Sequence, residues 1–288
     1  MKYRHSYHAG NFADVHKHVT LLALLAALKK KEKGFLYLET HAGRGSYDLS
    51  NRSPEAAAGI GRFAPAPEAA PELREYAAAV AAYRRCRAQP YAFPGSPLLA
   101  CEALRPQDRA VLIELQSAEA RVLEEELGRA AAEAARGTRP RTLIECGDGF
   151  ARLRAFLPPP ERRALTFLDP PFEESEADFA RLTAALVEGL RRFPTGVFAA
   201  WYPIKQERST AAWQEGCIRE LGARVLASEI WLYPRDSRVA LNGSGLLIVN
   251  PPWQTLERMQ VWLPQLEACL AVGPGGGSRA RILSQSIP

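Results

Sequence analysis

Cysteines are few in this chain and lie far apart. There are five of them, at positions 86, 101, 146, 217 and 269, and no two form a C-x-x-C pair. An odd number of scattered cysteines argues against a disulfide framework, and the missing C-x-x-C pairs argue against a zinc site. We therefore expect a protein of the reducing cytoplasm that holds no metal.

A hydrophobic run long enough to cross a membrane is also missing. The most apolar stretch near the amino terminus, residues 19–28, is shorter than the ~20 residues that a membrane-spanning helix needs. Asp14 precedes it, lysines follow it at positions 29–31, and no small-residue cleavage site is evident, so we expect no signal peptide. We interpret the stretch as a buried helix face and expect no membrane partner.

The charge is mild and the composition is ordinary. The chain has 288 residues, a net charge of +5 and a pI near 9.0, which permits a nucleic-acid partner without requiring one. Its content of 47% hydrophobic and 24% charged residues is typical of a globular protein. The length suits one large domain or a domain with an insertion. Because no apolar repeat or zipper is present, we expect a monomer.

Short apolar segments alternate with helical stretches along most of the chain. We predict strands at residues 35–38, 110–113, 142–144, 164–167, 197–202, 225–232 and 246–249. Helices are predicted at residues 118–136, 150–157, 174–193, 206–221 and 254–272. This alternation indicates an α/β fold with a mostly parallel, doubly wound sheet of seven strands and helices on both faces. No helix separates the last two strands, so we expect an antiparallel hairpin there.

Three regions fall outside this alternation. The main domain, residues 1–46 and 109–288, begins with an arm at residues 1–11 and a helix at residues 12–30 that Asn11 caps. The tail, residues 273–288, is rich in glycine, and we assign it no element and no site.

The third region is an insertion. Alanine- and proline-rich pieces enclose a helix at residues 71–88, and we predict an inserted helical subdomain over residues 47–108. Ser96 is expected to cap the helix that follows Pro94-Gly-Ser-Pro97, with Pro97 at its first position.

Polar residues follow the first three strands of the main domain. The first strand leads into Glu39 and a glycine turn at Gly43 and Gly45, the second ends in Glu114, and the third precedes Asp148. Ligands bind at the carboxyl edge of an open α/β sheet, where glycine lets the backbone approach closely. A carboxylate after the second strand suits a ribose diol, and one after the third suits an adenine amine. These residues predict a nucleoside-containing cofactor.

The fourth strand is followed by Asp169-Pro-Pro-Phe172. The Asp169 carboxylate and the Pro170 carbonyl can accept two N–H bonds, and the Phe172 ring can stack on a flat base. We therefore predict a site for the exocyclic amine of a base, with a simple turn cap at Asp169 as the alternative. A second copy, Asn250-Pro-Pro-Trp253, follows the last strand, and on its own it could equally be the amine site or a strand-to-helix turn.

The amino-terminal segment is basic and aromatic. Arg4 suits a phosphate contact and Tyr3 suits stacking on a base, although a solvated tail is the alternative. Lys17 shares a polar face with Asp14 and His18 at the start of the first helix, where it either lines a site or faces solvent. We predict that Tyr3, Arg4 and Lys17 contact the nucleic acid.

Several linked motifs resemble one known family. They are Tyr3-Arg-His-Ser-Tyr-His-Ala-Gly-Asn11, Asp14-Val-His-Lys-His18, Thr40-His-Ala-Gly43, Pro94-Gly-Ser-Pro97, Ala200-Trp-Tyr-Pro203 and the two Pro-Pro segments. Over essentially its whole length the chain resembles the bacterial 23S ribosomal RNA adenine-N6 methyltransferases of the RlmJ family. The resemblance implies a Rossmann-like class I methyltransferase fold with a mixed sheet, S-adenosylmethionine as cofactor, and 23S ribosomal RNA as substrate, at adenine 2030.

The resemblance also implies roles for single residues. Family positions that contact the cofactor match His18, His41, Ser96, Glu114, Asp148 and Gly149, and our interpretation of the glycine turn adds Gly43. The position matching Asp169 is catalytic, and the one matching Tyr3 lies at the RNA. Phe172 stands where the family usually has tyrosine, so ring stacking is kept and any hydroxyl contact is lost.

The class I strand order, 3-2-1-4-5-7-6, decides between the two Pro-Pro segments. In that order the strand before Asp169 lies beside the first strand, whereas Asn250 follows the last strand, far from the cofactor-binding strands. We therefore assign amine binding to Asp169 and interpret Asn250 as a strand-to-helix turn.

Three other functions stay open on the residues alone. A DNA adenine-N6 methyltransferase would use the same site. A nicotinamide-dependent oxidoreductase would have glycines after its first strand and an acid after its second strand, as this chain does. However, Asp48 stands where the third glycine of G-x-G-x-x-G belongs. A non-catalytic RNA-binding protein would explain the basic arm and leave the acids at the sheet edge without a purpose.

Overall fold

A computed structural model describes residues 8–51, 53–133, 139–173, 175–234, 237 and 241–283. Tyr3 and Arg4, which we predict to contact RNA, lie outside the described residues. Within the described ranges the strands are β1 Leu36–Glu39, β2 Ser46–Asp48, β3 Ala92–Pro94, β4 Arg109–Glu114, β5 Arg141–Cys146, β6 Ala164–Leu168, β7 Val197–Ile204, β8 Val225–Trp231, β9 Gly243–Val249 and β10 Gly277–Leu283.

The helices alternate with these strands much as the sequence predicts. They are α1 Phe12–Lys29, α2 Pro54–Ala58, α3 Pro71–Cys86, α4 Ser96–Ala103, α5 Ser117–Glu133, α6 Gly149–Phe156, α7 Ser175–Arg192, α8 Glu207–Leu221 and α9 Thr255–Leu270. Across the part of the chain that the structure describes, no helix is long and apolar enough to cross a membrane.

The main sheet has eight strands in the order β5-β4-β1-β6-β7-β9-β8-β10. The first five strands of this order are parallel to one another, whereas β9 runs antiparallel to both β7 and β8. The first seven strands confirm the class I order, 3-2-1-4-5-7-6, and β8 and β9 form the expected antiparallel hairpin. Because the parallel strands end at one edge, the residues that follow them converge there.

The prediction of seven strands was wrong by one. β10 lies in the tail that was assigned no element, and it pairs antiparallel with β8 at the edge of the sheet. Gly277, Arg279 and Arg281 obscure the apolar alternation that marks a strand. The strand is held by tertiary contacts, since the Arg279 guanidinium donates to the buried Glu229 carboxylate at 2.6 Å and Leu283 packs into the core.

Helix α1 is central and buried. Asn11 caps it as predicted, accepting a hydrogen bond from the Asp14 backbone N–H at 2.9 Å. The ten residues 12–21 are all buried, because α1 packs against α3, α4 and β9. Its polar side chains therefore face protein rather than solvent, and each needs a partner to offset the loss of hydration.

His16 anchors α1 to the sheet. Its two ring nitrogens lie 2.9 Å from the Ser228 hydroxyl of β8 and 3.0 Å from the Ser244 hydroxyl of β9. Burial lowers the pKa of His16 to about 3, with a smaller contribution from the neighbouring Lys17 ammonium. The imidazole is therefore neutral at pH 7, and both of its nitrogens are used in contacts with the sheet.

Residues 47–108 hold a small sheet as well as helices. β2 and β3 pair antiparallel apart from the main sheet, with α2 and α3 between them in the chain. The prediction that Ser96 caps α4 was wrong, since Gly95 takes that place and Ser96 is the first helical residue. The Ser96 hydroxyl is withdrawn from capping because it donates to the buried carboxylate of Glu39.

Candidate active site

The structure brings the ends of four strands together at the carboxyl edge. Asp169 follows β6, which pairs with β1 on one side and β7 on the other. Glu39 ends β1, Glu114 ends β4, and Asp148 follows β5. Parallel pairing alone accounts for this convergence, which puts four carboxylates along one edge.

A buried lysine engages the Asp169 carboxylate. Lys17 Nζ lies 2.6 Å from Asp169 Oδ2 and 3.0 Å from Asp14 Oδ1, and all three side chains are almost entirely shielded from solvent. The other oxygen of Asp14 accepts from the Gly10 backbone N–H at 2.8 Å. One ammonium thus bridges two carboxylates where water is scarce, and removing one partner of such a pair is strongly destabilising. Lys17, predicted to contact RNA, therefore lies at the acid itself.

Trp201 of β7 connects the lysine to the Pro-Pro segment. Lys17 Nζ lies 4.8 Å from the centroid of the Trp201 ring. The Phe172 ring packs edge-on against the Trp201 ring, with the two centroids 5.5 Å apart. The indole Nε1 donates to the Ser244 hydroxyl at 3.0 Å, and His16 contacts the same hydroxyl. The orientation of Trp201 is therefore fixed from the sheet, and its ring supports the lysine and Phe172.

Phe172 is packed inside the protein rather than displayed on its surface. Its ring is 6% exposed and also contacts Phe179 of α7 edge-on at 4.9 Å. Its backbone is left-handed, with φ at +50°, a conformation that is costly for a bulky residue. The turn after Pro170 and Pro171 is therefore held in one shape by side-chain packing.

Glu39 is fully buried beside this acid. Its carboxylate accepts from the Tyr37 hydroxyl at 2.9 Å and from the Ser96 hydroxyl. Burial raises the pKa of Glu39 to about 8, although the two hydroxyl hydrogen bonds act in the opposite direction. The charge on Asp169 raises this pKa further, and the Lys17 ammonium lowers it. A proton on Glu39 is therefore sensitive to charge at the neighbouring site.

Glu114 holds the glycine turn in place. The Gly43 N–H donates to Glu114 Oε2 and the Gln116 N–H donates to Oε1, both at 2.8 Å. Gly43 has φ at +64°, and a Cβ there would lie 2.8 Å from the Tyr47 hydroxyl, so a larger residue is strained. Each Glu114 oxygen keeps a further lone pair for a ligand hydroxyl. This arrangement fits the ribose diol that the sequence predicts.

Asp148 and Gly149 form the next part of the edge. Asp148 Oδ1 caps α6 by accepting from the Phe150 N–H at 2.9 Å, while Oδ2 lies 3.3 Å from an Arg181 guanidinium nitrogen at a half-exposed position. A Cβ at Gly149 would lie 1.9 Å from the Thr40 carbonyl oxygen, so the helix start packs directly against the end of β1. The exposed oxygen of Asp148 is open to a ligand amine.

The two predicted histidine contacts have different surroundings. His41 lies between β1 and the glycine turn, with its ring edge-on to Phe150 at 4.8 Å and Nδ1 2.8 Å from the Thr40 hydroxyl. Burial lowers the pKa of His41 to about 4, so it is neutral at pH 7. His18 stacks on Phe93 of β3 at 5.5 Å and lies 3.3 Å from the Tyr76 hydroxyl.

The predicted cofactor residues therefore fall into two groups. Five of them line the carboxyl edge together, namely His41, Gly43, Glu114, Asp148 and Gly149. The other two, His18 and Ser96, contact buried side chains of α3 and β1. Within the described ranges, no cluster of three His, Cys, Asp or Glu side chains could hold a metal ion.

The second Pro-Pro segment lies at the opposite edge. β9 is antiparallel to β7, so Asn250, which follows β9, is at the amino ends of the parallel strands. Its side-chain amide donates to the carbonyls of Pro194 and Gly196, both at 2.8 Å. Asn250 is thus a turn residue whose two amide hydrogens are already used.

Comparison with known proteins agrees with this geometry. Residues 32–283 match the model of a family described as "Ribosomal RNA large subunit methyltransferase D, RlmJ". The chain belongs to this family. It is therefore an S-adenosylmethionine-dependent ribosomal RNA methyltransferase, and its sheet has the class I methyltransferase strand order.

Relatives of this RlmJ-family chain span its whole length. Proteins named "Ribosomal RNA large subunit methyltransferase J" from Haemophilus influenzae and Escherichia coli are 35% and 36% identical to it, covering 96% and 98% of both chains, respectively. A crystal structure of protein LPL1258 from Legionella pneumophila superposes with a TM-score of 0.80 at 33% identity, covering 97% of this chain and 99% of that one.

Sequence reasoning missed three residues of this RlmJ-family site. Glu39 was noted only as the acid before the glycine turn, although an ionisable residue ending an apolar strand was an available signal. Trp201 was quoted as part of a motif and given no role. Leu115, directly after Glu114, is exposed and offers an apolar surface beside the cofactor edge. An exposed leucine has no signature in a single sequence.

Proposed function

We propose that this protein transfers a methyl group from S-adenosylmethionine to the N6 amine of an adenine in 23S ribosomal RNA, with adenine 2030 as the target. The observation that carries the proposal is the pairing of Asp169 with Lys17 next to the Glu114 and Asp148 edge. A hydrogen-bond acceptor for an amine thus lies beside a site that fits a nucleoside. The family assignment supports RNA rather than DNA as the polymer.

The cofactor lies along the carboxyl edge in this proposal. Glu114 accepts from the ribose hydroxyls, Asp148 accepts from the adenine amine, and the backbones at Gly43 and Gly149 allow close approach. His41 is neutral there and contributes a ring and a hydrogen bond without charge. When bound, S-adenosylmethionine supplies the electrophilic methyl group. Ser96 and His18 do not line the cofactor edge themselves. Ser96 supports it by binding Glu39, and His18 supports it by contacting Tyr76.

The target base enters beside Asp169. The Asp169 carboxylate and the Pro170 carbonyl accept the two N6 hydrogens, which favours a pyramidal nitrogen with its lone pair directed at the methyl group. As the N–C bond forms and the sulfonium S–C bond breaks, one N6 proton passes to Asp169 and then to solvent. No donor to the Pro170 carbonyl is found within the described ranges, so this acceptor is available. Alignment then carries much of the acceleration, for which well-oriented reactants can gain roughly 7–11 kcal/mol. The base must be unstacked to enter.

Lys17 and Phe172 prepare the acid for this role. Lys17 holds the Asp169 carboxylate through Oδ2 and is itself held by Asp14. Phe172 supports the turn through its buried ring, which packs against Trp201 and Phe179 and is not exposed for the stacking that the sequence predicts. Tyr3 and Arg4 hold the RNA from the amino-terminal arm. We further propose that the protein is a cytoplasmic monomer whose residues 47–108 form an insertion in the methyltransferase domain.

Mapping of N6-methyladenine in ribosomal RNA tests the proposal. RNA from cells that lack the gene is incubated with the purified protein and S-adenosylmethionine, and the modified position is read by mass spectrometry of nuclease fragments. The expected result is one new N6-methyladenine, at adenine 2030 of the 23S molecule. Methylation of duplex or single-stranded DNA with equal efficiency, or of another RNA atom, contradicts the proposal.

A further inference from the structure

A groove lies between the end of α1 and the start of α9. We call it the α1–α9 groove; Lys30, Trp253, Thr255, Arg258 and Trp262 line it. Lys30 is 13 residues beyond Lys17 in the chain (30 − 17), which corresponds to ~20 Å along a helix. The groove is therefore well separated from Asp169 and belongs to the opposite edge of the sheet.

Trp253 presents an aromatic ring to solvent in this groove. It is 80% exposed, in contrast to Trp262, which is fully buried. The segment that carries it is fixed at both ends, because Asn250 and Gln254 have left-handed backbones with φ at +52° and +62°. Left-handed backbones are unfavourable for most residues other than glycine. Two hydrogen bonds from the Asn250 side chain stabilise this conformation at position 250. An exposed indole is a surface on which a base can stack.

Trp262 carries an unsatisfied donor at the same groove. Its side chain is fully buried, and within the described ranges its indole Nε1 has no hydrogen-bond acceptor. A buried N–H without a partner is destabilising. This donor has no accessible surface, so Trp262 forms the floor of the groove rather than a contact for a ligand.

Two basic side chains, Lys30 and Arg258, line the groove, together with the acid Glu72. The Lys30 side chain is exposed and has no ion pair within the described ranges. The first turn of α9 opens on the groove at Thr255, whose N–H donates to the Pro252 carbonyl. Gln254 provides no side-chain cap, so within the described ranges the N–H groups of Leu256 and Glu257 remain available to an anion. Arg258 is held by Glu72 through Nε at 2.7 Å, which leaves its terminal nitrogens for other acceptors.

We propose that the α1–α9 groove binds an unpaired nucleotide of the ribosomal RNA substrate. The base stacks on Trp253, and its phosphate lies at Lys30 and the start of α9. The groove thus fixes the RNA at a second point, ~20 Å from the reacting base. The identity of the RNA rests on the proposed function, whereas the chemistry of the groove does not.

RNA binding by matched variants tests the groove. Trp253→Ala is expected to weaken the binding of a fluorescently labelled 23S fragment about 5- to 100-fold, the range for losing one base–aromatic stack, while Trp253→Phe retains most of the affinity. Lys30→Ala is expected to reduce the salt dependence of log Kd by about one unit of slope. Val261→Ala is the control, since Val261 is 60% exposed on the same helix and does not line the groove.

Two further measurements separate the outcomes. Binding of S-adenosylmethionine and kcat on a short oligonucleotide are expected to be unchanged in Trp253→Ala, with the loss confined to KM for the long fragment. If Trp253→Ala binds the fragment as tightly as Val261→Ala, the groove is not an RNA site, even if methylation is intact. Self-association that Trp253→Ala abolishes, with RNA affinity unchanged, likewise overturns the inference. Absence of methylation in the wild type contradicts the proposed function and leaves the binding test valid.

Discussion

The two Pro-Pro segments of this chain have similar sequences and opposite surroundings. Asp169-Pro-Pro-Phe172 follows a parallel strand, so its carboxylate lies at the cofactor edge, paired with Lys17, and its aromatic ring is buried. Asn250-Pro-Pro-Trp253 follows an antiparallel strand, so its amide lies at the other edge, bonded to two carbonyls, and its aromatic ring is exposed.

Strand direction therefore decides what each segment can do. The same four-residue pattern provides an acceptor for an amine where parallel strands end, and a turn with a displayed indole where they begin. In the first segment the polar residue is left to a ligand and the ring stabilises the fold. In the second the polar residue stabilises the fold and the ring is left to a ligand. The polar residue and the aromatic residue therefore have opposite roles in the two segments.

Replacing the acid of the first segment has the largest expected effect. Asp169→Asn keeps the size of the side chain and removes the charge that holds the N6 hydrogens and Lys17. We expect kcat for methyl transfer to fall about 10³-fold, within the range for losing a positioned acid–base group. Calorimetric binding of S-adenosylmethionine should be unchanged. A variant that folds, binds the cofactor and retains kcat within tenfold would falsify the role of Asp169.

Truncating the two rings compares their contributions to stability. Phe172→Ala is expected to lower the free energy of unfolding by about 3–5 kcal/mol, because it removes a buried ring from contact with Trp201 and Phe179. Trp253→Ala should change it by less than about 0.5 kcal/mol, because its ring is mostly in water. Urea denaturation of both variants measures the difference. Equal losses would mean that the exposed ring is part of the core after all.

The buried acid at the cofactor edge makes stability there depend on pH. Burial raises the pKa of Glu39 to about 8, so between pH 5 and 8 the folded protein binds a proton that the unfolded chain has lost. Wild-type stability therefore falls as pH rises, and Glu39→Gln removes this dependence. As the pH rises from 5 to 8, the free energy of unfolding of the variant should increase by about 3 kcal/mol relative to that of the wild type.

Urea titrations at several pH values measure this gain. The other charged groups facing Glu39, Lys17 and Asp169, are unchanged in the variant, as are the Tyr37 and Ser96 hydroxyls. A stability difference that is flat from pH 5 to 8 would show that Glu39 ionises normally. The wild-type turn at residues 250–254 holds no ionisable side chain and contributes no such pH dependence.

Completing the motif in the second segment is expected to change stability and leave catalysis unchanged. Asn250→Asp tolerates the same left-handed backbone but points a carboxylate at two carbonyl oxygens. We expect a loss of about 2 kcal/mol in stability, because both donors disappear, with kcat unchanged. In the Asp169→Asn background, Asn250→Asp should restore no activity. Recovery of methyl transfer in that double variant would show that the sequence pattern, rather than strand direction, makes the site.

The sequence predicted most of the sheet because its signals are local. Apolar segments such as 110–113 and 246–249 mark strands by composition, and the helices between them follow from spacing. β10 was missed because glycine and arginine replace the apolar alternation, and its pairing with β8, supported by Arg279 on Glu229, makes it a strand. Ser96 was misassigned as a cap because its actual partner, Glu39, is 57 residues away in the chain.

By itself, the sequence determined the fold class, the order of the acids and glycines along the carboxyl edge, and the family. These features depend on residue types at short spacing, which can be recognised in the sequence alone. Only the tertiary structure decided that Lys17 bridges Asp14 and Asp169, that Glu39 is buried, and that one Pro-Pro ring is covered while the other is exposed. Each of these depends on which strands and helices become neighbours, and burial and charge pairing arise only once distant segments have come together.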